Sequence, residues 1–169
     1  VPRIVIHYRI GEKRTTYSHP GLLGDGILDP ISVKKILEGI PKSEKNGAEI
    51  LVVSDEPRVA VKLLRSVGIE AKTPTKSGNL WLDMQIMGSA TILVCPWSTV
   101  SQFMAALLIR SGKRVYYPFS TSRGFNPNWE LPGLNKYEAI FLEDGHPIYN
   151  PDFILESDAH QIYQDPDKR

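Results

Sequence analysis

The 169-residue chain carries a single cysteine, Cys95, so no internal disulfide framework holds it together. Its four histidines are scattered, with none of the spacings of a metal-ligand set. No apolar run approaches the length of a membrane span. Charge of either sign is not in excess: 20 Lys and Arg face 19 Asp and Glu, a net charge of +1. No bulk field therefore favours nucleic acid or an anionic membrane surface, and any anion site has to be local. The Gly-x-Gly-x-x-Gly fingerprint of dinucleotide folds is also missing, which disfavours a redox cofactor held in that manner. One thiol is compatible with either redox compartment.

What remains is a globular composition, 41% apolar and 23% charged, at the size of one ordinary domain. The opening Val1-Pro2-Arg3-Ile4 reads as a strand and not as a signal peptide; a fragment cut from a longer, anchored protein would read the same way. The continuous β-branched run from Arg3 to Arg9 predicts a strand buried on both faces. After a loop from Gly11 to about Leu28, Asp29-Pro30 gives an N-cap with proline at the first helical position, and Pro41 stops that helix. Further strands are expected at 48–53, 69–72, 91–95 and 114–117. Helices are expected at 58–66, 80–89 and 98–109, the last with Phe103, Met104, Leu107 and Leu108 on its inner side. Gly68 and Gly112 mark helix ends.

Strands alternating with helices predict an α/β fold: a doubly wound, Rossmann-like parallel sheet with helices on both faces. From Phe119 onward nine Asp/Glu stand against four Lys/Arg, Pro and Asn are frequent and periodicity is weak. This predicts an irregular C-terminal wrap with a short strand at Ala139–Leu142. The expected organisation is one domain over 1–157, which the resemblance described below makes a nucleotide-sugar (donor) binding domain, and a mobile tail over 158–169.

Open α/β sheets bind ligands beyond the carboxyl ends of their strands, and three such ends carry polar groups. The first runs His7-Tyr8-Arg9-Ile10-Gly11-Glu12-Lys13-Arg14. Its cations can surround a phosphate, Arg9 as a bidentate fork and Lys13 as a point charge. By strand parity His7 and Arg9 share one face of the sheet and Tyr8 takes the other. The alternative is a solvated basic loop, with His7 a core histidine. The fourth strand ends in Cys95-Pro96-Trp97-Ser98-Thr99 before a helix, where free N–H groups and hydroxyls make an anion site; a serine N-cap without any ligand explains the same residues. Asp83 lies early in a nearly apolar helix, as a partner of the helix dipole or as a reader of ligand N–H groups such as the guanine edge. Asp55, in Ser54-Asp55-Glu56-Pro57, is a similar carboxylate at a strand end and ranks below Asp83, because the same residues are a common helix entry. Asp165 and Asp167 form an Asp-x-Asp only in the tail, and no metal site is expected.

Taken in order, these ends resemble the donor-binding, C-terminal half of GT-B fucosyltransferases, the α1,6/α1,2/protein-O-fucosyltransferase superfamily. That family's His-x-Arg-Arg-x-Asp-Lys motif stands here as His7-Tyr8-Arg9-Ile10-Gly11-Glu12-Lys13. Its hydrophobic run with (Ser/Thr)-Asp-Asp-Pro stands as Val52-Val53-Ser54-Asp55-Glu56-Pro57. Its Leu-Asp helix, buried strand and hydroxyl cap stand as Leu82-Asp83, Leu93-Val94-Cys95 and Ser98-Thr99. The resemblance spans roughly residues 3 to 117. It implies inverting fucosyl transfer from GDP-fucose to a glycan or other hydroxyl acceptor, with no essential metal and no further cofactor. It implies that Arg9 contacts the β-phosphate with Lys13 nearby, as the catalytic cations. It further implies that His7 and Asp83 face guanine and that Ser98 and Thr99 contact the diphosphate. Asp55 joins them as a donor-binding residue.

Ile10 and Glu12 depart from the motif. Tyr17 occupies the place where some members carry a candidate base, with Glu12 and His19 as substitutes. The family's other half, which often shapes the acceptor site, is not in this sequence, so a separate acceptor-binding domain is an expected partner. Two other readings stay open: a nucleotide-sugar-binding module without transfer activity, and an α/β interaction domain. No nucleic-acid partner and no membrane segment in this chain are expected.

Overall fold

The structure, a computed structural model, describes residues 1–10, 27–75, 79–96, 98–119 and 131–140. Five strands form one all-parallel sheet: β1 (Arg3–Tyr8), β2 (Glu49–Ser54), β3 (Ile92–Val94), β4 (Arg114–Phe119) and β5 (Asn135–Glu138), in the order β2-β1-β3-β4-β5. The interior strand β1 is buried from Ile4 to Tyr8, as its β-branched run predicts. It sets Ile6 opposite Val52 of β2 on one side and Val94 of β3 on the other. Strand order changes direction between β1 and β3. That is the switch point where parallel sheets open a crevice at their carboxyl edge.

The helices are α1 (Pro30–Gly39), α2 (Lys42–Lys45), α3 (Pro57–Ser66), α4 (Leu80–Gly88) and α5 (Thr99–Arg110). Asp29 caps α1 by accepting from the Ile31 N–H at 2.7 Å, with Pro30 in the first turn where a missing N–H costs nothing. Helices α3 and α5 are each followed by a glycine at positive φ, Gly68 (83°) and Gly112 (72°), a conformation that penalises any Cβ.

The sheet divides two cores. Ile4, Ile6 and Tyr8 of β1 pack with Val33 and Ile36 of α1 and Leu63 of α3 on one face. On the other face Val5 and Leu93 pack with Met87 of α4 and Met104 and Leu108 of α5. This is the doubly wound α/β arrangement with helices on both faces.

Three expectations are corrected. The strand expected at 69–72 is a single bridge, Leu51 with Lys72, held by Lys72 N–H to Ile50 O and Val52 N–H to Lys72 O. Its sequence of Glu70 and Lys72 around Ala71 cannot fill both faces of a buried strand. Met104 and Leu108 do face inward, but Phe103 is 54% exposed and Leu107 is exposed with it, while Ser101 and Ala105 are buried in their place. The helix is apolar on more than one side, so periodicity alone does not choose its inner face; small residues there let the helix approach the sheet closely. A short strand near the end lies at Asn135–Glu138, and Ala139 and Ile140, where the expected strand Ala139–Leu142 begins, are not part of one. The alternating, half-exposed pattern of Asn135–Glu138 is that of an edge strand whose order comes from pairing with β4. Phe141 and Leu142, the C-terminal wrap and the tail lie outside the described residues.

Candidate functional site

Because the strands are parallel, helices that follow a strand begin at its carboxyl edge. The N-termini of α1, α3, α4 and α5 therefore gather there, each with donors free of intrahelical partners. His7 is the penultimate residue of β1 and points to the α4–α5 side of the sheet. Its Nδ1 stands 2.7 Å from Ser101 Oγ, in the first turn of α5. That bond ties the first sequence motif to the helix whose start carries Ser98 and Thr99 of the third, across the switch point. His7 is 7% exposed. Burial lowers its pKa to about 4, with Arg9 adding to the effect and Asp55 opposing it, so the imidazole is neutral at pH 7.

Just past β1, the Arg9 guanidinium places Nε 4.0 Å from Asp55 Oδ2. The other oxygen of Asp55 accepts from the Ile10 N–H at 2.9 Å and from the Ser54 hydroxyl at 3.3 Å. Ser54 Oγ in turn accepts from the Glu56 N–H at 3.0 Å. The turn leaving β2 thus grips the chain leaving β1, and Asp55 aligns Arg9 while holding the backbone beside it. Glu56 is buried within this turn.

Ser98 is the N-cap of α5, its Oγ accepting from the Ser101 N–H at 3.0 Å, and Thr99 is the exposed first residue of the helix. Cys95, fully buried at the end of β3, sends its S–H toward Ser101 O at 3.9 Å, and burial pushes the thiol up to about 12. Asp83 is half-buried in the first turn of α4, whose N-cap Asn79 accepts from the Trp81 N–H at 2.9 Å. On the opposite face Tyr8 buries a hydroxyl that has no hydrogen-bond partner among the described residues, and burial with Asp29 nearby pushes its phenol upward.

The structure therefore brings His7, Arg9, Asp55 and Ser98 to one edge around the switch point, with Thr99 on the same helix start and Asp83 on a neighbouring one. Lys13, like Glu12, Tyr17 and His19, lies outside the described residues. Sequence reasoning missed Ser101, and gave Ser54 a place in the second motif but no role. The signal for Ser101 was a small polar residue at an inward position of an apolar helix, three residues after the cap.

An open cleft of about 240 Å³ lies elsewhere, between α1 and the β4–β5 edge, lined by Lys35, Tyr116, Lys136 and Tyr137 among others; none of the described motif residues lines it. Among the described residues no group of three or more His, Cys, Asp or Glu is arranged to hold a metal ion, and no helix is long and apolar enough to cross a membrane. Comparison with protein-family models, with curated proteins and with solved structures returns no match.

Proposed function

We propose that the crevice between β1 and β3 binds the diphosphate of a nucleotide sugar, and that the chain is the donor-binding part of an inverting glycosyltransferase using GDP-fucose. The observation that carries this reading is the 2.7 Å bond from His7 to Ser101. It draws the strand end bearing Arg9 and the N-terminus of α5 to one crevice, so a cation and oriented N–H groups stand together where a diphosphate would lie. The order of the three motifs supplies the donor's identity by resemblance.

In the proposed reaction an acceptor hydroxyl attacks the anomeric carbon of fucose as the bond to the β-phosphate oxygen breaks. The electron pair leaves with GDP and the hydroxyl proton passes to a base. Arg9, aligned by Asp55, neutralises charge growing on departing GDP, with Lys13 assigned the same task from the motif. This is stabilisation of the transition state by preorganised donors. Asp83 accepts from the guanine N–H edge, and cations take the part that a divalent ion plays in other transferases.

Binding without transfer is the second reading: of the described side chains at the crevice, His7 is held neutral by burial, its pKa lowered to about 4, and so is a poor base for the acceptor proton.

A thermal-shift panel of GDP, UDP and ADP with and without EDTA tests the site. The expected result is stabilisation by GDP well beyond the other two, unchanged by EDTA. Equal shifts would remove the guanine assignment, and a requirement for Mg²⁺ or Mn²⁺ would remove the metal-free one. Transfer from GDP-fucose to glycan acceptors then separates enzyme from binding module.

A further inference from the structure

Ser101 belongs to none of the sequence motifs, yet it stands at their junction. It is fully buried, and a hydroxyl at an inward helical position costs free energy unless it is hydrogen-bonded. Its bond is to His7 Nδ1. A neutral imidazole carries one ring proton, and the bond that one nitrogen makes decides where that proton sits.

Two arrangements are compatible with the 2.7 Å contact. In one, Nδ1–H donates to Oγ and the hydroxyl proton needs an acceptor of its own. Among the described residues Oγ has no second oxygen or nitrogen partner. The neighbouring Cys95 sulfur, kept as a thiol by burial, is within hydrogen-bonding reach of the Ser101 side chain but is a weak acceptor. In the other arrangement the hydroxyl donates to Nδ1 and the ring proton sits on Nε2. That atom makes no hydrogen bond among the described residues and is not one of the sealed, unpartnered atoms. Unsatisfied buried donors are rarer than under-used acceptors, which selects the second arrangement.

We propose that Ser101 is a positioning residue: its hydroxyl donates to Nδ1 and fixes His7 as the neutral Nε2–H tautomer, a hydrogen-bond donor offered to an oxygen of a nucleoside diphosphate. Only the identity of that ligand rests on the proposed function. A neutral donor here serves a phosphate oxygen or a base carbonyl without adding a buried charge to the crevice.

Ring ¹⁵N spectra of the unmodified chain at neutral pH read the tautomer directly. The expected result is a protonated Nε2 and a bare Nδ1; a protonated Nδ1, or an even mixture, overturns the proposal. In Ser101→Ala, with its fold checked by far-UV circular dichroism, the ring should move to a mixture and GDP affinity should fall about tenfold. Ser101→Thr keeps the hydroxyl and should restore both. A folded Ser101→Ala with the original tautomer and affinity overturns the positioning role, and should that variant not fold, the spectrum of the unmodified chain decides alone. Guanosine and inorganic diphosphate, titrated separately into both proteins, show which half of the ligand meets Nε2, since only that half should lose affinity. A chain that binds no GDP removes the nucleotide reading, while the ring spectra still decide for or against Ser101.

Discussion

The two edges of the sheet handle polar side chains in opposite ways. At the amino edge Arg3 pairs with Glu49 at 3.4 Å and Arg114 with Glu44 at 2.9 Å, all four side chains more than a third exposed. Thr91 bonds the backbone N–H and carbonyl of Arg3, both at 2.9 Å, stitching β3 to β1. Such pairs form in water and each contributes under about 1 kcal/mol. At the carboxyl edge His7, Ser54, Glu56 and Ser101 are buried, and Asp55 is turned inward on the backbone of Ile10. Burying polar groups costs free energy that folding alone does not require. The edge carrying that cost is the one where parallel topology gathers helix N-termini and opens the crevice.

The largest effect expected from this contrast is in pH dependence. The folded His7 pKa is lowered to about 4 from the usual 6.5. As pH falls the unfolded chain takes up the proton first, so the stability His7 allows is complete above 6.5 and is lost between 6.5 and 4. The loss amounts to about 3 kcal/mol. Subtracting urea unfolding curves of His7→Asn from those of the unmodified chain across this window isolates it from the carboxylates; parallel curves would show that His7 is not held neutral by the fold.

Arg9→Ala comes next. It should leave the fold intact and weaken GDP binding, and where transfer is seen it should lower turnover about a hundredfold, roughly 2.7 kcal/mol. Arg9→Lys keeps the charge but not the planar fork and should recover part of this. Asp55→Ala removes the acceptor for the Ile10 N–H and should cost about 2 kcal/mol, a fall of roughly 4–8 °C in Tm, with weaker GDP binding because Arg9 loses its alignment. At the other edge Arg3→Ala should cost under about 1 kcal/mol and leave GDP binding unchanged. Equal effects of Arg3→Ala and Arg9→Ala on binding would erase the distinction between the edges.

The same distinction explains what the sequence let one read. Strand β1 was legible because a β-branched run buried on both faces has no other comfortable home, and α1 because Asp29-Pro30 is a local cap signal. The inner face of α5 was not, since Phe103 and Leu107 look as apolar as Met104 and Leu108; only the close approach of Ser101 and Ala105 to the sheet decides it. Strand β5 is ordered by its neighbour, and Asn135-Lys136-Tyr137-Glu138 carries no pattern of its own. At the candidate site the motif residues at strand ends, His7, Arg9 and Asp55, could be named from spacing and parity. Ser101 could not, because its part comes from a contact with a residue 94 positions away in the chain.

The most direct test of the central claim, that the carboxyl edge at the β1/β3 switch point is a nucleotide-diphosphate site, is isothermal titration of GDP into the unmodified chain, Arg9→Ala and Arg3→Ala. The account predicts saturable binding to the unmodified chain and to Arg3→Ala with the same affinity, and binding to Arg9→Ala weaker by tenfold or more, on the order of 1.4 kcal/mol. GDP binding that is absent from the unmodified chain, or equally tight in Arg9→Ala, would contradict it.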